Sequence, residues 1–289
     1  MKRNPPWADK VLKTAYERLQ TVVDAKRLPI SKGKGQFEEF GAGHYGVVYP
    51  TREKNVVCKI TTDASEAAFV RAAISLKEFP SGIVGYYDVV RIEGQSHRQR
   101  PVFALWRSEV QPVTIYSRYS HHKYDTFTNG VVELLTLAKL SAHTIREYLK
   151  KQSPEKRKNT IAQMEKRSGD FTGSFDINKT SRPRGYDSSA IKDFQTFIKY
   201  KRGIDRAVAC ADLFWEACDW MNYTYGFNPG RALQWYYREG LLLADVHGQN
   251  VSLQLADPKY PDDEEWVISD PGHAIALTDK FADLTIKTV

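Results

Sequence analysis

The 289-residue chain is poor in cysteine, methionine and histidine, and it contains no long apolar run. Its three cysteines, Cys58, Cys210 and Cys218, form no CxxC pair and no Cys/His spacing that would enclose a zinc ion. A disulfide scaffold and a zinc fold are thereby excluded, and reduced thiols are expected. The adjacent His121 and His122 would point to opposite faces of a strand, so they cannot share a metal from there. No segment reaches the length of a membrane span, and the first residues, Met1-Lys-Arg-Asn-Pro-Pro-Trp7, carry no apolar signal core. The expectation is a soluble protein of the cytoplasm with no membrane partner.

What is present is ordinary globular material, with 42% hydrophobic residues and six tryptophans, enough for one large core or two modest ones. The net charge of +7 is unevenly placed. Between Lys151 and Arg206 fourteen Lys/Arg face seven Asp/Glu, while the rest of the chain balances at 28 against 28. A basic insertion of this kind attracts phosphorylated ligands, acidic proteins or nucleic acid. No aromatic-plus-basic stacking pattern recurs there, so direct nucleic-acid binding is not favoured, and docking of protein substrates through 151–206 and a solvated loop with no partner both stay open.

Periodicity gives a coarse map. Val11, Leu12, Ala15, Leu19, Val22 and Val23 make a helical stripe over 7–26. From Phe37 the pattern turns to β-branched and aromatic residues, with a hairpin of Gly46–Tyr49 and Val56–Ile60. A helix should open at Asp63-Ala-Ser65-Glu66 and stop at Phe79-Pro80, and strands should follow over 83–92 and 101–106. After Thr128 Val131, Leu134, Leu135, Ala138 and Ile145 form one helical stripe. Residues 152–189 show no sustained apolar period and read as a flexible insertion, with helices resuming at Ile191. A helix over 229–239 has Asn228 as its expected cap and Gly240 at its exit, and a hairpin of 251–255 and 266–269 follows. The reading is α+β: a helical extension over 1–36, a small sheet-rich domain over 37–110, and a mainly helical domain over 111–289.

Four short motifs carry chemistry in a fixed order. The first is a glycine loop, Gly41-Ala-Gly43-His44-Tyr-Gly46. In a dinucleotide-binding loop the last glycine would open a helix, but here Val47, Val48 and Tyr49 follow and indicate a strand. A glycine loop on a hairpin sets backbone N–H groups over phosphates, because absent side chains allow close approach. The second is Lys59, an ammonium in an apolar strand, able to reach phosphates and to pair with a helix carboxylate, either Glu66 or Glu78. The third is Asp245-Val-His-Gly-Gln-Asn250, at whose spacing a carboxylate can orient an attacking hydroxyl while an amide oxygen holds a metal. The fourth is Asp270, a hard oxygen ligand; Asn250 and Asp270 together make the sparse set that suits Mg²⁺.

Phe40–Tyr49, Val56–Ile60, Asp245–Asn250 and Ile268–Gly272 together resemble the signature loops of the protein-kinase-like superfamily, in the same order. Gly-x-Gly-His44, the Lys59 strand, Tyr86-Tyr-Asp-Val-Val90, Asp-x-His-x-x-Asn and Asp270-Pro are similar, more narrowly, to the early-expressed Ser/Thr kinases of short-tailed lytic bacteriophages. The resemblance covers about 37–112 and 229–274. It implies a two-lobed kinase-like fold with a minimal C-terminal lobe, and ATP- and Mg²⁺-dependent phosphorylation of host proteins in the host cytoplasm. On that reading Asp245 and Lys59 are catalytic. Gly41, Gly43, His44, Gly46, Val48, Lys59, Glu66, Glu109 and Val110 surround the nucleotide, and Asn250 and Asp270 hold the metal. Histidine two places after the aspartate is also the pattern of small-molecule phosphotransferases, which remain an alternative along with a catalytically silent binding protein. The chain departs from the kinase pattern at Leu243-Ala244, where many kinases carry His-Arg, so no arginine stands there to read a phosphorylated activation loop. Pro271 occupies the place of the usual mobile phenylalanine.

Overall fold

Alternation along one strand organises the N-terminal half. In the computed structural model Val56, Cys58 and Ile60 share a buried cluster with Val11, Leu12, Ala15 and Leu19 of the first helix, so Val57 and Lys59 turn to the opposite face. The structure describes residues 6–33, 36–42, 46–76, 78–97, 100–110, 125–167, 196, 198–257, 260–281 and 284–289, and the element labels refer to these. It is an α+β protein that divides into two compact units. Unit 1 comprises Met1–Phe79, Val84–Glu109 and Asp283–Val289; unit 2 comprises Pro80–Ile83 and Val110–Ala282.

Unit 1 opens with α1 (Pro6–Val22), then two short strands, β1 (Ser31–Gly33) and β2 (Gln36–Phe37), which pair with each other. Next come β3 (Gly41–Ala42), β4 (Gly46–Pro50), β5 (Val56–Thr61), α2 (Ala64–Ser75), β6 (Tyr86–His97) and β7 (Arg100–Ser108). These strands and β12 (Lys287–Thr288) form a six-stranded sheet in the order β12-β6-β7-β5-β4-β3. All neighbours are antiparallel except β12, which runs parallel to β6 and pairs Lys287 with Val90. The C-terminal residues thus join unit 1, a correction to the sequence reading that kept them in the helical domain. Central β5 is buried along its whole length. One face meets α1; the other meets α2, where Phe69 stacks edge-on against Tyr86. Trp106 is fully buried and donates its indole N–H to the Arg27 carbonyl at 2.7 Å, which satisfies its one donor.

The capping at α2 has a clear cause. Asp63 Oδ1 accepts from the backbone N–H of Ser65 (2.8 Å) and of Glu66 (3.2 Å), covering two of the donors that a helix start leaves open. The helix ends at Ser75, four residues before the expected stop.

Unit 2 is built on α3 (Asp125–Lys150), α4 (Pro154–Arg167), α5 (Gly203–Tyr225) and α6 (Asn228–Arg238). The α3 stripe of Val131, Leu134, Leu135, Ala138, Ala142 and Ile145 is buried, as are Cys210, Phe214 and Cys218 of α5. All three thiols are free and buried; burial pushes that of Cys210 up to about 12. Two sequence expectations need correction. Part of the supposed flexible insertion is helical, since α4 buries Thr160, Ile161 and Met164; a single turn of three inward residues was too short a period to stand out. The remainder, 168–189, lies outside the described residues. Asn228 is not a cap but the first residue of α6, whose N-cap is Phe227, because its side-chain amide is directed to Glu265 Oε1 at 3.2 Å.

After α6 come β8 (Leu241–Leu242), β9 (Val251–Asp257), β10 (Tyr260–Ile268) and β11 (Ile275–Ala276). β8 pairs with β11, and β9 with β10 in a hairpin longer than expected, with Val251 opposite Ile268. Among the described residues no helix is long and apolar enough to cross a membrane.

Candidate active site

In unit 1 the glycine segment, the lysine and its carboxylate are neighbours. β3 pairs with β4, Gly41 opposite Val48, so the described parts of the glycine segment are strand. Gly46 opens β4 rather than a helix, which removes the dinucleotide-loop alternative. A Cβ on Gly46 would stand 2.6 Å from the Ile60 carbonyl oxygen and 3.2 Å from Lys59 Cε, so glycine is needed for the strands to close at this point. Gly43 and His44 lie outside the described residues.

Lys59 stands in register between half-buried Val48 on β4 and Leu105 on β7. Its Nζ is 2.6 Å from Glu66 Oε1 on the first turn of α2, and both side chains are buried. The other carboxylate oxygen of Glu66 accepts the Thr61 hydroxyl at 3.1 Å, and that hydroxyl in turn accepts the Asp63 backbone N–H. Of the two candidate partners Glu66 is therefore the one engaged; Glu78 is exposed, past the end of α2. Sequence reasoning missed Thr61, which ties the end of β5 to the start of α2. Glu109 follows β7, exposed, with its backbone N–H on the Asn55 carbonyl at 2.8 Å; it is Leu105, four residues earlier, that faces Lys59. Val110 is half-buried and falls in unit 2.

In unit 2 three predicted residues converge. β8 delivers the chain to Asp245, and a short 3₁₀ turn, Gly248–Asn250, follows. His247 caps that turn through Nδ1, which accepts the Gln249 N–H at 3.2 Å. Asn250 Nδ2 donates to the Asp245 carbonyl at 2.6 Å, closing the loop on itself. The Asn250 carbonyl accepts the Ser269 N–H (2.8 Å) and hydroxyl (3.1 Å) and the Asp270 N–H (3.4 Å), so the β9–β10 hairpin fixes Asp270 beside Asn250. Gly272 lies between the two carboxylates: a Cβ there would be 3.7 Å from Asp245 Oδ2 and 3.8 Å from Asp270 Oδ1. The next residue, His273, holds φ at +57°, a conformation that non-glycine residues adopt at a cost of about 1 kcal/mol.

Two carboxylates this close repel unless a cation sits among them. Lys139 of α3 supplies one, its Nζ 2.6 Å from Asp245 Oδ1. No motif pointed to it, but a signal was available: Lys139 is the sole charged residue in the apolar window 134–142. His247 Nε2 is 4.0 Å from the same oxygen. Burial, with the Lys139 charge adding to it, holds the imidazole below its ordinary value, against the opposing pull of Asp245 and Asp270. The ring is thus neutral near pH 7.

The donor set suits a hard divalent cation. The Asn250 amide spends its N–H on Asp245, leaving Oδ1 as an oxygen donor beside the Asp270 carboxylate. Among the described residues no group of three or more His, Cys, Asp or Glu could enclose a metal by itself.

Comparison of the chain with protein-family models and with curated proteins finds no match.

Proposed function

We propose that the protein is an ATP- and Mg²⁺-dependent phosphotransferase acting on serine and threonine hydroxyls of proteins, a two-lobed kinase-like enzyme of a bacteriophage working in the host cytoplasm. The observation that carries the reading is the convergence of Asp245, Asn250 and Asp270 around Gly272, with Lys139 on the Asp245 carboxylate. The buried Lys59–Glu66 pair beside a glycine-opened strand supports it from unit 1. The role in a host comes from the resemblance of the motifs alone.

In the reaction the acceptor oxygen forms a bond to the γ-phosphorus while the bond from that phosphorus to the β–γ bridging oxygen breaks, and ADP leaves with the electron pair. Asp245 orients the hydroxyl and takes its proton as the new bond forms. Lys139, on the same carboxylate, fixes which oxygen faces the acceptor. Lys59, held by Glu66, orients the nucleotide phosphates. Asn250 Oδ1 and the Asp270 carboxylate would hold Mg²⁺, which spreads the negative charge of the β and γ phosphates.

The test is γ-labelled ATP with Mg²⁺, offered together with a bacterial lysate and, separately, with aminoglycosides. Label on serine and threonine of lysate proteins is the expected result. Label on the small molecule alone would make the enzyme a small-molecule phosphotransferase, and no transfer would leave a silent binding protein.

A further inference from the structure

Four Lys/Arg side chains and a histidine gather in one place in unit 2. A groove of about 380 Å³ runs between the C-terminal turns of α3 and the start of α5. His143, Lys151, Lys201, Arg202 and Arg206 line it, against a single carboxylate, Glu147. That carboxylate is already engaged outside the groove by Arg146 at 2.9 Å and Lys150 at 3.8 Å. Lys151, Arg202 and Arg206 form no ion pair among the described residues. Three cations that form no ion pair among the described residues, beside a carboxylate already shared by two others, suit an anion from elsewhere.

The shape of the cluster says which kind. Arg202 at the N-cap and Arg206 in the first turn of α5 both line the groove, and two guanidinium forks suit the bidentate geometry of a phosphate better than dispersed carboxylates. The start of α5 itself, Arg202 and Gly203, lines the groove. The cations form a compact cluster, not the long stripe that would follow a nucleic-acid backbone.

We infer that this groove binds a phosphoserine or phosphothreonine side chain of a protein substrate, so that the enzyme favours targets already phosphorylated nearby. This rests on the kinase reading and adds a preference to it. The helix supplies a spacing as well. Lys139, which holds Asp245, and Glu147, at the groove, are eight residues apart on α3, which corresponds to on the order of 12 Å. An extended peptide covers that in about four residues. The axial rise sets only a scale, an anchoring phosphate within a few residues of the acceptor hydroxyl and not about ten away.

The test uses fluorescence anisotropy of a labelled peptide bearing one phosphoserine, its unmodified twin, and a single-stranded oligonucleotide, measured without ATP on the Asp245→Asn protein. The phosphopeptide should bind about tenfold or more tightly than its twin, and the exposed double change Arg202→Glu/Arg206→Glu should abolish the difference. If that double variant loses its helical circular dichroism, Lys151→Glu, on an exposed turn, takes its place and should lower phosphopeptide affinity several-fold. The inference falls if twin and phosphopeptide bind alike, if the charge reversals leave phosphopeptide affinity unchanged, or if the oligonucleotide binds more tightly with affinity growing with its length. In the active protein, transfer to a serine four residues from the phosphoserine should exceed transfer to one ten residues away; equal rates would also overturn it. Phosphopeptide binding without any protein phosphorylation would instead sink the kinase reading and leave the groove intact.

Discussion

Two lysine–carboxylate pairs have the same 2.6 Å separation and very different surroundings. Lys59 and Glu66 are 9% and 1% exposed at the side chain, whereas Lys139 and Asp245 are 35% and 27% exposed. The first pair is locked between a fully buried strand and a capped helix, and its charges were taken out of water when unit 1 folded. The second is partly open to solvent, so its ammonium and carboxylate are screened and can separate at little cost. Equal distance therefore marks a fixture in one unit and a solvent-screened contact in the other. Breaking each pair separately sharpens the contrast.

The largest effect is expected on turnover. On the proposed function, Asp245→Asn keeps the side-chain shape but removes the proton acceptor and Asp270→Asn removes a charged metal ligand, and each should lower phosphoryl transfer by about a thousandfold or more while leaving thermal unfolding close to wild type. Near-normal activity in either variant would refute the assigned roles.

Stability should respond in the opposite order. Glu66→Ala withdraws the carboxylate from a buried ammonium and the acceptor from Thr61, a loss of about 3–5 kcal/mol by urea denaturation. Lys139→Ala breaks an open, solvent-screened pair and should cost about 0–1 kcal/mol. Its signature is instead kinetic, a lower kcat, because the carboxylate of Asp245 loses the side chain that fixes which oxygen faces the acceptor. If Glu66→Ala and Lys139→Ala destabilise equally, the contrast between the two pairs is false.

Asp63→Ala tests the frame that holds the buried pair. Removing the acceptor for two backbone donors at the start of α2 should cost about 1 kcal/mol, read as a lower urea midpoint with an unchanged slope. The effect is smaller than at Glu66 because water can replace a cap at a half-exposed helix start.

These residues also show what the sequence makes legible. Gly46, Lys59, Asp245, Asn250 and Asp270 were readable because each lies in a short local pattern whose spacing carries chemistry. Glu66 was readable only as one of two choices, since deciding between it and Glu78 needed the end of α2, and helix ends are set by packing as much as by Pro80. Lys139 and Thr61 act across the fold, on partners 106 and 5 residues away. Lys139 could be noticed as a lone charge among apolar neighbours, yet nothing local says which carboxylate it meets. β12 was missed because two exposed residues that pair with β6 show no alternation. The cap at α6 failed for a related reason: Asn228 has the chemistry of a cap, but Glu265 on β10 competes for its amide.

The smallest effect is expected at His247, where the sign decides the outcome. Its folded value lies below the ordinary 6.5, because burial and the Lys139 charge disfavour the imidazolium. The unfolded chain therefore binds more protons than the folded one as pH drops below 6.5, and stability falls with it until the folded value is reached. Above 6.5 both states are neutral and this contribution is fully present. His247→Gln keeps a side-chain acceptor for the Gln249 N–H but removes the titration. The melting temperature of the variant should decline less between pH 7 and pH 5 than that of the wild type, a difference of a degree or two, ~2 °C at most for a group this exposed. If the wild type melts higher at pH 5 than at pH 7 and the substitution removes that gain, the imidazole is charged in the folded state, and the Asp245–Asp270 pair outweighs Lys139 at this site.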